Sequence, residues 1–491
     1  MQKMKKLTCI TTLMLLAFAT ALNSANLTSE SFIDAAAFGF SPNATGVQNL
    51  KALQAAVDKG GTITVSRPGT YKLAGTITIG DNTSLVFGNG TIIQKSAENG
   101  HFTHVFINKG AYTRQYNHNI TIEGLNLSVN GVEKAWSEIY GLRGHISFFY
   151  VKDVKLERFR CTDLATKQFC VHICTFEDFL MNDAVIIGDK DGVHFGPGKR
   201  FRISNVVFRT SDDALALVPG DWVTANPEYG NLEDGIIENI TELASFRREG
   251  AFAKIVASGW PDWKPGMKVQ QGTAVLSNGR IYRVAMEADS KVYTSSTCPD
   301  FEFGMKELDG INWLMFQQDT IHTAAVRNIV FRDIFLYGIR TPFSILSYSN
   351  HWEHSYYPGA PMPVQGNISL EKVHMLSNES HGLFHISTPV DFLNIRDCTL
   401  KKGFIHFGHA QDYATYPPTY IHITGCTFLD EGASMLIKND SPGKEIYLKT
   451  SGNLVVGKEF SSLVDAGEGN IHIDSDLPGL KEKTILNSAA Y

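Results

Sequence analysis

Residues 368–375 read ISLEKVHM, residues 393–400 read LNIRDCTL and residues 421–428 read IHITGCTF. Each stretch contains an apolar-x-apolar triplet, two polar or small residues, and a second apolar-x-apolar triplet. The alternation has the period of a β-strand, and the polar pair indicates a bend between two short strands. The same pattern occurs further upstream, at residues 120–127, 154–161, 201–208 and 329–336.

The spacing of these segments predicts a solenoid. Their first residues are 25 positions apart between 368 and 393, and 28 apart between 393 and 421. A strand-rich unit of that length cannot bury its apolar side alone, so it must stack on its neighbours. A β-sandwich also has short alternating strands, but it does not keep the bend at one place in every repeat. The sequence therefore predicts an all-β fold, a right-handed parallel β-helix with coils about 4.8 Å apart.

The ends and interruptions of the repeats fit a solenoid. Residues 47–57 have helical spacing, and a helix before the first coils would cap the exposed end of the stack. Trp260 and Trp263 belong to one of the irregular insertions, where they could stack on a sugar ring or pack the loop onto the β-helix. Insertions of this kind are predicted at residues 219–234, 257–271, 286–325 and 349–366.

The composition describes a folded chain. Its 491 residues include 43% hydrophobic residues and carry a net charge of −6, with no long run of either charge. These values exclude a disordered chain and contain no sign of nucleic-acid binding.

The first residues predict a secretory signal peptide. Lysines at positions 3, 5 and 6 precede an apolar stretch at 7–18 and the small-x-small site at 19–21. The apolar stretch is too short to span a bilayer. We therefore expect cleavage after residue 21, a single β-helix domain at residues 22–491, and a secreted or periplasmic protein without a membrane span.

Acidic residues are densest in two stretches, GDKDGVHF at residues 188–195 and, 22 positions later, TSDDALAL. The offset is the length of one coil. It stacks Asp191 over Asp213 and Lys190 over Asp212. Like charges at strand spacing repel and shift each other's pKa values, so a functional site explains the cluster better than stability does.

More than one activity is compatible with such a cluster. Glycosidic hydrolysis needs one carboxylic acid and one carboxylate. Alternatively, the aspartate oxygens could hold the Ca²⁺ that a uronate lyase uses to neutralise its substrate's carboxylate, with Lys or Arg as the base. A non-catalytic carbohydrate-binding β-helix is the third alternative.

The order of these motifs resembles that of the polygalacturonase family of pectin hydrolases. The family's Asn-Thr-Asp corresponds to residues 189–191, and its Asp-Asp pair corresponds to residues 212–213. The resemblance implies a right-handed β-helix in which Asp212 is the general acid, while Asp191 and Asp213 activate the attacking water and the anomeric centre is inverted. Inversion requires the acid and base carboxylates to be about 6.5–9.5 Å apart.

The chain departs from the family at two other motifs. The family's Gly-His-Gly falls on residues 248–252, where there is no histidine, and its uronate-gripping Arg-x-Lys has no clear match. Strand parity points His194 away from the core, so it either contacts sugar or is solvated. The candidate substrate-binding residues are Asp189, Lys190, His194, Arg248, Lys254, Trp260, Trp263 and Arg280, with Arg247 and Arg283 as further guesses.

The sequence therefore predicts a secreted glycoside hydrolase that cleaves a pectin-type or related galactose- or uronate-containing glycan. A polysaccharide is the expected partner, and neither a metal ion nor a cofactor is expected. The lyase and the carbohydrate-binding protein remain the alternatives.

Overall fold

The computed structural model describes most of the chain. The described residues are 32–135, 137–221, 225–245, 250–285, 291–318, 322–338, 342–346, 360–361, 363–377, 382–401, 403–408, 417–429, 436–456, 464–465, 469–477 and 483–485. The predicted signal peptide, residues 1–21, lies outside them. So do Arg247 and Arg248, which are two of the candidate substrate-binding residues.

Parallel strands stack coil upon coil, which is the predicted parallel β-helix. Ile368 pairs with Leu393 and Leu393 pairs with Ile421, so the spacings of 25 and 28 residues each correspond to one coil. Pairing of Val154 with Phe179, and of Phe179 with Phe201, divides the 47 residues between 154 and 201 into two coils.

The strands form three faces, which we call sheets A, B and C. Two long strands, Gly144–Leu164 and Phe169–Gly188, bend twice and contribute to all three. Sheet A further contains Ile77–Ile79, Phe106–Asn108, Val193–Phe195, Leu215–Leu217, Ala253–Val256, Phe343–Leu346, Phe384–Ile386, Ile405–Phe407, Ile437–Asn439 and Val464–Asp465.

Sheets B and C share four further strands, which bend once between them: Gly198–Thr210, Leu232–Glu242, Val326–Leu336 and Gly366–Met375. Sheet B adds Phe32–Asp34, Gly61–Val65, Thr83–Phe87, Asn117–Glu123, Phe392–Arg396, Thr419–Thr424, Glu445–Ser451, Asn470–Asp474 and the antiparallel Lys483–Ile485. Sheet C adds Gly69–Leu73, Thr91–Lys95, Asn126–Ser128, Thr399–Leu400, Thr427–Phe428 and Leu454–Val455.

The bend between sheets B and C lies at the polar pair of each repeat, as predicted. The second residue of the pair adopts a left-handed conformation in every repeat that the sequence pattern identified. Its φ is 51° at Arg158, 53° at Lys372, 55° at Asp397 and 66° at Gly425. A single left-handed residue turns the chain sharply enough to start the next strand in a new sheet.

The apolar residues of all three sheets point inward and form one core that runs from Ala35 to Leu477. The predicted helix is present at Gly46–Val57 and begins with a capping box between Thr45 and Gln48. Two short 3₁₀ helices, Ala35–Phe38 and Ala97–Asn99, pack near it, and a third is Lys109–Tyr112. Within the described part of the chain, no helix has the length and apolarity needed to cross a membrane.

Residues 257–325 form one folded insertion between two coils. Residues 257–271 and 286–325, which the sequence analysis treated as separate loops, are both parts of it. Its strands are Ser258–Gly259, Met267–Val269, Ala274–Ser277, Arg280–Val284, Tyr293–Ser295, Met305–Leu308, Ile311–Gln318 and Thr323–Ala324, all paired antiparallel. Two small apolar clusters of its own hold the insertion together.

Candidate functional site

The acidic residues lie in the turns that lead into two neighbouring strands of sheet A. Val193 pairs with Leu215, which confirms the predicted offset of 22 residues between the two motifs. The turns are themselves joined, because the Gly192 amide donates to the Asp213 carbonyl over 2.9 Å. The β-helix stacking therefore holds Asp191 directly beside Asp213.

The three aspartates converge. One carboxylate oxygen from each of Asp191, Asp212 and Asp213 lies within 4.8 Å of one oxygen from each of the others. Asp191 and Asp213 are each only 4% exposed, whereas the Asp212 side chain is 27% exposed. The amide of Ala251, on the next coil, donates to Asp213 Oδ1 over 2.7 Å and fixes this carboxyl group.

Two lysines balance part of this charge. Lys190 Nζ forms an ion pair with Asp212, as the predicted stacking requires, and lies 3.4 Å from Asp191 Oδ1. Lys254 Nζ lies 3.9 Å from Asp213 Oδ2. Both lysines were predicted as substrate-binding residues, and the structure places both beside the aspartates.

The lysines and burial give the aspartates different pKa values. Burial raises the pKa of Asp191 and that of Asp213 to about 7. Burial acts on Asp212 as well, but the charges of Lys190 and Lys254 outweigh it and hold the Asp212 pKa below its usual value. Asp212 is therefore the ionised carboxylate of the cluster, while Asp191 and Asp213 hold protons up to near-neutral pH.

The sequence predicted that His194 either contacts sugar or is solvated, and its environment in the structure is neither. Its side chain points away from the core but is buried under Phe169, whose ring stacks on the imidazole at 4.0 Å with an interplanar angle of 3°. Nδ1 lies 3.0 Å from Asp191 Oδ2, and Nε2 lies 3.9 Å from Asp221 Oδ2. Burial and the charges of Arg143, Lys190 and Lys254 hold the His194 pKa well below its usual value. His194 is therefore a neutral, buried side chain that orients Asp191.

The sequence analysis missed three residues around the cluster. Phe169 covers His194, and the Arg143 guanidinium also lies over the Phe169 ring, 5.0 Å from its centre. The positive charge of Arg143 acts on Asp191, Asp212 and Asp221. Asp221 follows shortly after the strand Leu215–Leu217, so the sequence could have indicated it. Arg143 and Phe169 lie on earlier coils, and no local sequence pattern links them to the cluster.

A shared metal site is a poor description of this cluster. Three oxygens close enough to share a cation are present, but Ca²⁺ takes six to eight oxygen ligands. The Lys190 ammonium already lies between Asp191 and Asp212 and supplies the positive charge there.

The comparisons with known proteins support the fold. No protein-family model matches the sequence, and no curated protein matches it by sequence. Among solved structures, the A-module of a mannuronan C-5 epimerase from Azotobacter vinelandii is 13% identical with a TM-score of 0.53, and the match covers 92% of this chain and 100% of that one. The chain shares the fold of the pectin-lyase-like parallel β-helix proteins.

Two further solved structures show the same likeness. The catalytic unit of an α-1,3-glucanase from Streptomyces thermodiastaticus is 12% identical with a TM-score of 0.50, over 92% of this chain and 69% of that one. An endo-xylogalacturonan hydrolase from Aspergillus tubingensis is 11% identical with a TM-score of 0.46, over 92% and 98%. At such identities the likeness concerns the fold alone.

Three predicted substrate-binding residues belong to the insertion, and the prediction for Trp260 is wrong. Trp260 is fully buried and stacks on Tyr229, so it has no face left for a sugar. Trp263 packs in the insertion's own core and donates its indole N–H to Ser295 over 2.8 Å. Arg280 pairs with Glu302 within the insertion, at 3.6 Å.

Two other candidates have structural partners near the site. Asp189 lies at the same edge, where its Oδ1 accepts from Ser211 Oγ over 2.9 Å. Arg283 is fully buried, lies over the rings of Tyr229 and Phe316, and donates to the Asp221 carbonyl over 3.3 Å. Arg283 therefore docks the insertion beside the cluster and has no surface left for binding a substrate carboxylate.

Proposed function

We propose that the protein is a glycoside hydrolase whose reacting groups are Asp191, Asp212 and Asp213. One observation carries the proposal: an ionised carboxylate, held by Lys190, lies beside two buried carboxyl groups that keep a proton near neutral pH. Glycosidic cleavage needs this combination, because one group must donate a proton to the leaving oxygen while another acts as a carboxylate.

The electrostatics assign the roles differently from the family resemblance. Asp212 has the lowered pKa, so it is the base or nucleophile and not the acid. Asp191 and Asp213 both have raised pKa values and each affects the other's charge, so we treat the pair as a whole as the acid. His194 and the Ala251 amide hold the two members of the pair in place.

The spacing also differs from the expected one. One oxygen of each carboxyl group lies within 4.8 Å of one oxygen of each of the others, which is closer than the predicted gap of about 6.5–9.5 Å between acid and base. Retaining enzymes have carboxyl groups only about 5–5.5 Å apart, and their carboxylate attacks the sugar directly. We therefore propose that Asp212 is the nucleophile and that the product keeps its anomeric configuration.

The proposed substrate is a polysaccharide of the pectin type or a related one that contains galactose or uronate. Lys190, Lys254 and Arg143 place three positive charges around the cluster, and these would favour an acidic sugar. We further propose export through the predicted signal peptide, which would bring the enzyme to such polymers.

A uronate lyase or epimerase is the second candidate, because the three aspartate oxygens lie close enough to share a cation. Such enzymes need a base to remove a proton from carbon. Burial lowers the pKa of Lys190, but the neighbouring carboxylates outweigh burial and raise it, so this lysine stays protonated and is a poor base. Hydrolysis is therefore the better-supported function.

The test is a screen of the purified protein on plant and host glycans. We expect new reducing ends without ultraviolet absorbance, whereas an unsaturated uronide that absorbs in the ultraviolet would identify a lyase. Glycan retention without any product would identify a binding protein. Proton NMR of the first product should show the retained anomer, and the inverted anomer would mean that Asp212 is not the nucleophile.

Substitution of the aspartates tests the assignment of the site. Asp191→Asn, Asp212→Asn and Asp213→Asn should each lower turnover by at least about a hundredfold, the usual scale for loss of an acid or base. Asp234→Asn, on sheet B, is the matched control and should keep full turnover. Wild-type turnover in all three site variants would exclude this cluster as the active site.

A further inference from the structure

The outer face of sheet A carries one continuous row of side chains. Strand residues alternate between the core and the outside, and strand pairing places the outward residues of successive coils side by side. From the N-terminal end the row reads Thr78, Ile107, Ser147, His172, His194, Ala216, Lys254, Ser344, His385, His406, Lys438 and Asp465. The aspartate cluster lies beside His194 and Ala216, near the middle of the row.

The row is covered on the N-terminal side of the cluster. Ile107, Ser147 and His172 are fully buried. His172 is held from above at both ring nitrogens, by the Arg143 amide at 3.1 Å and by the Asn226 side chain at 3.2 Å. A glycan chain has no room on this side.

On the C-terminal side, the described residues of the row are partly exposed. The side chains of Lys254, His406 and Lys438 are 23%, 29% and 37% exposed, and Ser344 and His385 are also partly exposed. We call these five residues the open strip. Four coil spacings separate its first and last members, a length of about 19 Å.

The open strip offers groups that bind sugars. The rings of His385 and His406 are 5.3 Å apart and nearly perpendicular, and Phe404 stacks on His406 at 5.9 Å. Asp440 accepts from Lys438 at 2.7 Å and lies 3.0 Å from His406 Nε2. Ring nitrogens, an ammonium group and one carboxylate together can bind the hydroxyl and carboxylate groups of an acidic oligosaccharide.

We propose that the open strip binds the glycan chain that leads away from the aspartate cluster, so that the enzyme holds one chain end at the cluster and cleaves from that end. The proposal rests on the proposed function for the position of the cleaved bond. It adds a binding site several coils from the cluster and a direction of attack. The groups that would contact the chain are the ammonium groups of Lys254 and Lys438 and the ring nitrogens of His385 and His406, which can bind sugar carboxylates and hydroxyls.

The first experiment measures affinity against chain length. The probes are galacturonic-acid oligomers from dimer to hexamer, with galactose oligomers for comparison, titrated onto the Asp212→Asn variant so that no bond is cleaved. We expect the Kd to fall with each added residue until the strip is filled. Combining His385→Ala, His406→Ala and Lys438→Ala should weaken hexamer binding about tenfold, as expected for the loss of a few hydrogen bonds, and dimer binding less than about twofold.

His422→Ala is the matched control, because His422 is a partly exposed histidine on sheet B of the same coil as His406. The proposal would be overturned if the triple variant lost as much affinity for the dimer as for the hexamer, or if His422→Ala weakened binding equally. Failure of both the galacturonic-acid and the galactose oligomers to bind would also overturn it. Length-dependent binding with no cleavage by the wild type would overturn only the proposed function.

The second experiment tests the direction of attack. On a long polymer that the wild type cleaves, reducing ends should accumulate while the viscosity stays nearly constant, because removal of end units hardly shortens the chain. A rapid fall in viscosity at the same number of new reducing ends would mean that the covered side of the row admits substrate. It would refute the proposal that the enzyme cleaves from a chain end.

Discussion

Asp212 and Asp191 lie on adjacent coils, yet their pKa values are shifted in opposite directions. Burial raises the Asp191 pKa, whereas at Asp212 the effect of burial is outweighed by the charges of Lys190 and Lys254; Lys190 pairs with Asp212 but approaches Asp191 only to 3.4 Å. Lys190 thus favours ionisation of Asp212, on the next coil, more strongly than that of Asp191, its neighbour in the chain. Adjacent carboxyl groups can serve as acid and base only if something separates their protonation in this way.

Lys190→Met should therefore move the pH dependence of turnover. The Lys190 charge lowers the Asp212 pKa, so its loss raises that pKa, and the acidic limb of the pH–rate profile should shift to higher pH. Lys190 also lowers the Asp191 pKa against the larger effect of burial, so the basic limb should shift upward as well. The measurement is turnover against pH for both proteins. An unmoved acidic limb would show that Asp212 ionisation does not govern activity.

The buried acid pair should also make stability depend on pH. Asp191 and Asp213 have folded-state pKa values of about 7, above the usual 3.8, so they favour the folded state at low pH and lose that contribution as the pH rises towards 7. At pH 8, Asp191→Asn or Asp213→Asn should raise the free energy of unfolding by about 2 kcal/mol, and at pH 4 by much less. Denaturant unfolding at both pH values is the measurement. A gain that is equal at the two pH values would contradict the raised pKa.

Each repeat turns from sheet B to sheet C at one left-handed residue, and the identity of that residue varies. Gly425 occupies the position at no steric cost, whereas Lys372 occupies it with φ 53°. A lysine side chain does not stabilise the left-handed conformation, so the surrounding fold imposes it. The strain is offset by the strands on either side, which both pair with neighbouring coils.

Lys372→Gly should consequently stabilise the protein. Lys372 is exposed, and glycine relieves a left-handed conformation that costs about 1 kcal/mol or more in other residues, less its own entropy cost in the unfolded chain. We expect a net gain of roughly 0.5–1 kcal/mol. Lys372→Val is the opposing control and should destabilise, because a β-branched residue tolerates this region least. A lower free energy of unfolding for Lys372→Gly would mean that the lysine side chain stabilises the folded state by more than its backbone strain costs.

The insertion is an element that the sequence pattern resolved only in part. Its strands are short and pair antiparallel with one another, so they carry none of the coil-to-coil repetition that identifies the solenoid. Its aromatic residues belong to its own clusters and to the contact with Tyr229. The aromatic side chains of the insertion therefore serve packing, while Arg283 connects the insertion to the site through the Asp221 carbonyl.

At the scale of the whole molecule, one apolar core continues through every coil, and its N-terminal end is closed by the helix Gly46–Val57. Leu53 is fully buried in this core, whereas Lys51 points to solvent from the same helix. An uncapped coil would leave its core face in contact with water, as at the end of any solenoid.

Removing the buried contact of the cap should therefore destabilise the molecule. Leu53→Ala should lower the free energy of unfolding by about 3 kcal/mol, whereas Lys51→Ala should change it by less than about 0.5 kcal/mol. Equilibrium denaturation followed by circular dichroism is the measurement. Equal stability of the two variants would mean that the helix does not contribute to the common core.

The sequence by itself determined the β-helix, the register of its coils, the capping helix and the meeting of Asp191, Asp212 and Asp213. These features follow from repetition: once the strand period and the 22-residue offset are known, residues of one coil must lie over those of the next. The predicted stacking of Lys190 over Asp212 already favours an ionised Asp212. Only the tertiary structure decided that burial raises the pKa values of Asp191 and Asp213, and that Lys254 and Arg143 lie close to the cluster. It also decided that His194 is buried, that Trp260 is unavailable to sugar, and that one side of the sheet A row is covered. These outcomes depend on side-chain directions and on irregular segments from distant coils, which no periodic pattern in the sequence encodes.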